Sequence, residues 1–146
     1  MSEQSTRFDL PYLQAGQAQK ELFHNEALAT IDLLLHANAR NFADAPPAGP
    51  AIGECWIVGD APTGAWAGRA GALAGFTGGG WRFAAPQPGM AVWLTDPGLR
   101  ACYHHAAWHV GDAVPETGGG TTIDTEARAA IGAILVALKT QGLIPS

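Results

Sequence analysis

The apolar positions of this chain change their period twice, and each change marks a boundary. Over the first 17 residues no helical or strand period is sustained, yet Phe8, Leu10, Tyr12 and Leu13 stand apolar in a polar setting. A segment of this kind orders against something else rather than by itself. Residues 1–17 are therefore read as an extended docking arm carrying those four side chains, and the Gln-rich stretch from Gln14 to Gln19 adds amide donors and acceptors to it.

From Asn25 a helical period begins. Asn25 is a candidate cap, Glu26 suits the positive end of a helix dipole, and Leu28, Ile31, Leu34 and Leu35 fall on one face. The spacing predicts a helix over about residues 25–38. Ala45-Pro-Pro-Ala-Gly-Pro50 then interrupts regular structure, because proline lacks the N–H donor and restricts the residue before it. Beyond this linker, short apolar runs at 55–58, 73–76, 81–84, 91–94, 101–103 and 108–110 alternate with Gly, Pro and Asp. They predict a meander of short antiparallel strands. Two runs match each other, since Phe76 precedes Trp81 and Tyr103 precedes Trp108 by five residues. Each predicts a hairpin with a cross-strand aromatic pair beside its turn.

Val114-Pro115-Glu-Thr-Gly118-Gly119-Gly120 reads as a flexible connector, after which Asp124 can cap a second helix reaching about Gln141, with Gly142 as its stop. Ala127, Ile131, Ile134 and Leu138 step by four, three and four, the heptad spacing of an oligomer seam, with Leu135 flanking it. A helix this short is marginal alone, so it is expected to self-associate. Isoleucine at both seam positions favours a trimer or higher. The chain thus divides into a docking arm (1–17), a helix plus β-rich body (18–114), a flexible linker (115–122) and an oligomerisation helix (123–146). The expected fold class is α+β: an N-terminal helix on a small antiparallel β-meander of hairpins, preceded by the extended arm and followed by a separate C-terminal oligomerising helix.

Composition sharpens this picture. A chain of 146 residues is sized for one core, and 19 Gly with 10 Pro suit short strands and many turns better than long helices. A formal charge of -5, with lysine only at Lys20 and Lys139, leaves too little cationic surface for a nucleic-acid partner. The longest apolar run, 129–138, falls short of the roughly 20 residues a membrane span requires, and no apolar leader follows a basic start. The expectation is a protein made in the cytoplasm without membrane insertion. Cys55 and Cys102 each adjoin an aromatic residue and read as small core hydrophobes, with their pairing left open.

Candidate chemistry is sparse. Serine occurs only at Ser2, Ser5 and Ser146, near the ends, where a nucleophile is not held against a base. Cys102 and His104 lack a third orienting group. His104, His105 and His109 have the composition of a metal cluster, but a hairpin tip reads more simply as exposed turn histidines. Glu54, Asp60, Asp96, Asp112 and Glu116 read as turn formers rather than a glycosidase pair, and Gly78-Gly79-Gly80 as a turn rather than a phosphate cradle. No catalytic residue, metal or cofactor is expected. All five tryptophans lie in the β body, where they serve either as core filler or as platforms for sugar rings. Trp81 and Trp108, beside the two hairpin turns, are the candidate sugar contacts.

Five words occur in order: Leu10-Pro-Tyr-Leu-Gln-Ala-Gly-Gln-Ala-Gln-Lys20-Glu21, His24-Asn-Glu-Ala-Leu28, Gly53-Glu-Cys-Trp-Ile-Val-Gly59, Pro62-Thr-Gly-Ala-Trp-Ala-Gly68 and Gly80-Trp-Arg-Phe83. Together they resemble a family of bacterial prophage and gene-transfer-agent proteins known as a domain of unknown function, over about residues 9–110. The C-terminal stretch from Ile123 to Ile144 resembles helices that close other phage fibre proteins. The resemblance implies a non-enzymatic structural subunit of a phage-like particle, in a tail fibre or a head spike. The base of a gene-transfer-agent head spike is nearest in general shape. It implies a capsid, tail or fibre protein as partner and assembly on the particle surface. The alternative is a carbohydrate-binding module that recognises a host surface polysaccharide. The chain departs from the family in having His104-His105-Ala-Ala where an Asp-Gly turn is expected, and in lacking a long fibre region.

Overall fold

Two four-stranded sheets face one another in the computed structural model, which describes residues 3–14, 16 and 20–146. Positions 17–19 of the Gln-rich stretch, and position 15, lie outside the described residues. The elements run α1 (Lys20–Leu34), β1 (Asn38–Ala39), β2 (Phe42–Ala43), β3 (Cys55–Val58), β4 (Leu73–Thr77), β5 (Gly80–Ala84), β6 (Ala91–Leu94), β7 (Leu99–His104), β8 (Ala107–Val110) and α2 (Thr125–Thr140), with a 3-10 turn at Gly64–Trp66. The first sheet has the order β1-β6-β7-β8 and the second β2-β3-β4-β5. The class is α+β with a C-terminal helix, as the periods imply.

Both faces of the second sheet are covered, which explains the unbroken apolar run of β3: all four of its residues are buried. Cys55 and Ile57 point into the core shared with the first sheet, where Leu73, Val92, Leu94 and Ala101 meet them. Trp56 and Val58 point the other way, into a second cluster closed by the fully buried Trp66 of the 3-10 turn. Burial moves the Cys55 thiol up to about 11, and both cysteines are free.

The antiparallel hairpins form in the expected register. Phe76 lies opposite Trp81 and Tyr103 opposite Trp108, with ring centroids 5.0 and 5.2 Å apart. The two-residue strands β1 and β2 add something the sequence pattern does not announce, a parallel edge on each sheet. The Asn38–Ala43 stretch thereby crosses from one sheet to the other, and Ala39, where it leaves β1, is fully buried.

Helix α1 spans Lys20–Leu34 rather than the expected 25–38, and Asn25 lies inside it rather than at its cap. The Asn25 amide instead grips the arm, accepting from the Leu13 N–H at 2.9 Å and donating to the Leu13 carbonyl at 3.0 Å. The covered face is also shifted. Ala29, Asp32 and Leu33 are buried, while Ile31, Leu34 and Leu35 are exposed. The reason is local: Leu33 packs over Gly75, where any added Cβ would stand 2.7 Å from the leucine Cδ1.

Helix α2 begins as expected, with the Asp124 carboxylate accepting from the Ala127 N–H at 2.8 Å. It ends in a left-handed Gly142, whose N–H donates to the Lys139 carbonyl while the Leu143 N–H donates to that of Leu138. The turn after it is fastened to the first sheet. Arg100 N–H donates to the Gly142 carbonyl at 2.8 Å, and Gly142 lies so close under the Trp93 ring that a side chain there would collide.

Candidate functional site

Where the edge strand β2 and the β7–β8 hairpin diverge, the two sheets leave an open cleft of about 530 Å³. Phe42, Asp44, Asp60, Gly71, Tyr103 and Trp108 are prominent in its lining. Trp108 belongs to the first sheet but reaches the second, its Nε1–H donating to the Gly71 carbonyl at 2.8 Å. That bond satisfies the indole's one polar atom, so what the ring offers a ligand is aromatic surface. Tyr103 stands edge-on to it with planes 63° apart, and Phe42 is 39% exposed on the opposite strand.

Asp44 is held in place from three directions. Its Oδ1 accepts from the Ala61 N–H at 3.1 Å, and its carbonyl accepts from the Thr63 N–H at 2.7 Å and hydroxyl at 3.2 Å. Gly59 lies directly beneath the carboxylate, leaving no room for a Cβ. Asp60 follows on the same loop, exposed. The lining contains two carboxylates and, among the described residues, no Lys, Arg or His. Such a cleft can stack a planar or CH-rich face and accept hydrogen bonds from hydroxyls, and it repels anions.

The other candidate sugar contact, Trp81, is elsewhere. It is half-buried on the outer face of the second sheet, with Trp66 and Phe76 each 5.0 Å away and Trp56 at 5.7 Å. Trp81 and Trp108 therefore belong to different sheets and different clusters. The sequence pattern marks neither Phe42 nor Asp44, marks Tyr103 only as the hairpin partner of Trp108, and presents Asp60 as a turn former. The cleft draws on four separated stretches, around 42–44, 58–61, 70–71 and 103–108, so no local pattern signals it.

The arm folds back on itself, with Ser5 N–H donating to the Leu10 carbonyl and Tyr12 N–H to that of Glu3. It lies on α1, where the buried Asp32 carboxylate accepts from the Ser5 hydroxyl (2.5 Å), Arg7 N–H (2.9 Å) and Phe8 N–H (2.7 Å). The Arg7 guanidinium donates to carbonyls of Asp32, Leu33, Leu35 and His36, closing the C-terminal end of the helix. Among the four docking candidates, Phe8 and Leu13 are exposed, whereas Leu10 and Tyr12 are half-buried. Burial raises the Tyr12 phenol above its usual value. An Arg82–Glu26 ion pair ties β5 to α1; the Arg82 hydrogen bond lowers the Glu26 carboxyl and raises the Arg82 guanidinium.

On α2, Ala127, Ile131 and Ile134 are exposed, Leu138 is half-buried, and Leu135 is turned inward onto its own chain. At the β7–β8 tip, the His104 and His109 rings stack 3.9 Å apart and the His104 and His105 Nδ1 atoms are 3.3 Å apart. Desolvation first, and then the neighbouring His109 and His105, hold the His104 imidazole below its usual value. Among the described residues no group of three or more His, Cys, Asp or Glu side chains is placed to hold a metal ion. No helix among them is long and apolar enough to cross a membrane.

A family model described as a protein of unknown function (DUF2793) matches residues 24–109, the stretch from α1 through β8 that builds both sheets and the cleft. No curated protein matches the sequence.

Proposed function

We propose that this chain, which belongs to the DUF2793 family of proteins of unknown function, is a self-associating structural subunit of a phage-like particle, at the base of a head spike or tail fibre. The particle assignment is carried by the sequence resemblance; the self-association is carried by one observation. Helix α2 follows a glycine-rich connector and leaves Ile131 40%, Ile134 58% and Val136 63% exposed. Ile131 and Ile134, three residues apart, share one face of this short helix, with Val136 on another. Exposed apolar side chains sharing a face are a surface awaiting cover, and a second copy of the same helix provides it. Burying each isoleucine in such a contact contributes roughly 1–2 kcal/mol, a fraction of the full burial value. The arm outside the matched region, with Phe8 and Leu13 exposed, is the proposed contact to a capsid, tail or fibre protein.

Light scattering on the full chain tests the first part. Truncation after Gly120 is a poor variant, because it also removes the turn fastened beneath Trp93. Ile131→Glu with Ile134→Glu leaves that turn intact and changes only exposed positions. The expected outcome is an oligomer, a trimer or larger, that falls to the mass of one chain in the double variant with unchanged circular dichroism. A monomer in both proteins would sink the reading. A second reading, recognition of a host surface polysaccharide, is favoured by the aromatic and carboxylate lining of the inter-sheet cleft.

A further inference from the structure

We infer that the cleft between β2 and the β7–β8 hairpin binds a neutral sugar ring of a polysaccharide, with Trp108 and Phe42 as its apolar walls and Asp44 and Asp60 as its hydroxyl acceptors. This inference rests on the polysaccharide reading and gives it a site and a ligand class.

Three observations carry it. The first is size and openness: about 530 Å³ lies within the roughly 300–1,000 Å³ of small-ligand clefts, and an open cleft suits an internal residue of a long polymer. The second is the division of labour between the lining groups. The Trp108 N–H is already committed to Gly71, so the indole presents carbon surface, which matches the C–H face of a pyranose. Tyr103 meets it at a steep angle and sets a corner rather than a flat floor. The third is charge and preorganisation. Thr63 fixes the Asp44 main chain through its carbonyl, and the Ala61 N–H holds the carboxylate itself over the bare backbone of Gly59. One carboxylate oxygen is thus positioned before a ligand arrives, which lowers the ordering cost of binding.

The same carboxylates choose among ligands. With Asp44 and Asp60 in the lining and no cationic side chain among the described residues there, uronic acids, sialic acids and phosphorylated sugars meet like charge. A purely apolar ligand would desolvate the carboxylates with nothing in return. A neutral polyol satisfies both halves of the lining. A single site of this kind is weak, and several copies joined through α2 would raise its effective concentration.

The test uses the full chain and soluble polymers of known charge: dextran, laminarin and galactomannan as neutral probes, alginate and hyaluronan as acidic ones. Affinity electrophoresis or calorimetry should show binding to at least one neutral polymer and none to the acidic pair. Phe42→Ala and Asp44→Asn change exposed positions, and each should weaken binding about fivefold to tenfold with circular dichroism and oligomer mass unchanged. Trp108→Ala alone would not be informative, since that ring also packs on the core. Neutral-polymer binding that survives both substitutions would overturn the cleft while keeping the polysaccharide reading. Absence of neutral binding, or preference for the acidic polymers, would overturn both. Calcium binding that is lost in Asp44→Asn, without polymer binding, would likewise overturn the proposal and mark the carboxylates as a cation site.

Discussion

Asp32 is a carboxylate with 4% exposure that joins two parts of the chain far apart in sequence. Its cost of burial is offset by three donors, one hydroxyl and two backbone N–H groups, all from the arm. Removing the acceptor would leave those donors facing a partly desolvated site. Asp32→Ala should therefore destabilise the protein by about 2–4 kcal/mol in denaturant unfolding and make the segment around residues 5–10 sensitive to protease. Equal protease resistance in variant and parent would mean that Arg7, gripping the end of α1, suffices to hold the arm. The arm's own backbone bonds make it a small folded unit, so contact with a particle would use the outward side chains Phe8 and Leu13 rather than an extended strand.

The two hairpins show how a turn and a sheet constrain each other. In β4–β5 the connection is glycine-rich, and backbone with positive φ costs little at Gly80. In β7–β8 the reversal takes a different backbone path, with both turn residues left-handed: His105 and Ala106 have φ of +48° and +62°. Left-handed backbone costs an L-residue roughly 1–2 kcal/mol, and alanine has no side-chain polar group to offset it. The hairpin tolerates this because Tyr103 and Trp108 lock its register and Trp108 is anchored to the other sheet. Ala106→Gly should accordingly stabilise the protein by about 0.5–1 kcal/mol, after allowing for the greater freedom of glycine in the unfolded chain. A rise in melting temperature is the expected result, and a fall would show that the left-handed backbone at Ala106 is not strained.

The two sheets share one core, and the Asn38–Ala43 stretch contributes an edge to each. They should unfold as one unit rather than one after the other. Leu73 is fully buried at the centre of that core, so Leu73→Ala should lower stability by about 2–5 kcal/mol. Near-ultraviolet dichroism, which reports the Trp56, Trp66 and Trp81 cluster of the second sheet together with Trp93 and Trp108 of the first, and far-ultraviolet dichroism, which reports the backbone of both sheets, should shift together in one step. Separate transitions would show that the first sheet, carrying α2, is an independent module.

The pairings of Phe76 with Trp81 and Tyr103 with Trp108, the Asp124 cap and the Gly142 stop were all legible from the sequence, because each depends on residues within about five positions of one another. The apolar run of β3 was equally legible as a strand. Which face of α1 is covered was not, since Leu28, Ile31, Leu34 and Leu35 form as good an apolar stripe as the face that is used, and only the docking of Leu33 on Gly75 and of the arm on Asp32 distinguishes them. Strands β1 and β2 are two residues each and owe their existence to backbone partners offered by β6 and β3, so no side-chain period records them. The cleft is the extreme case: Trp108 and its partner Tyr103 are marked by their hairpin, but Phe42, Asp44 and Asp60 are ordinary loop and strand residues along the chain, and nothing local joins them to it. Sequence carries local preference and periodicity, whereas a site assembled between two sheets depends on how far those sheets diverge, a quantity set only when their shared core has packed.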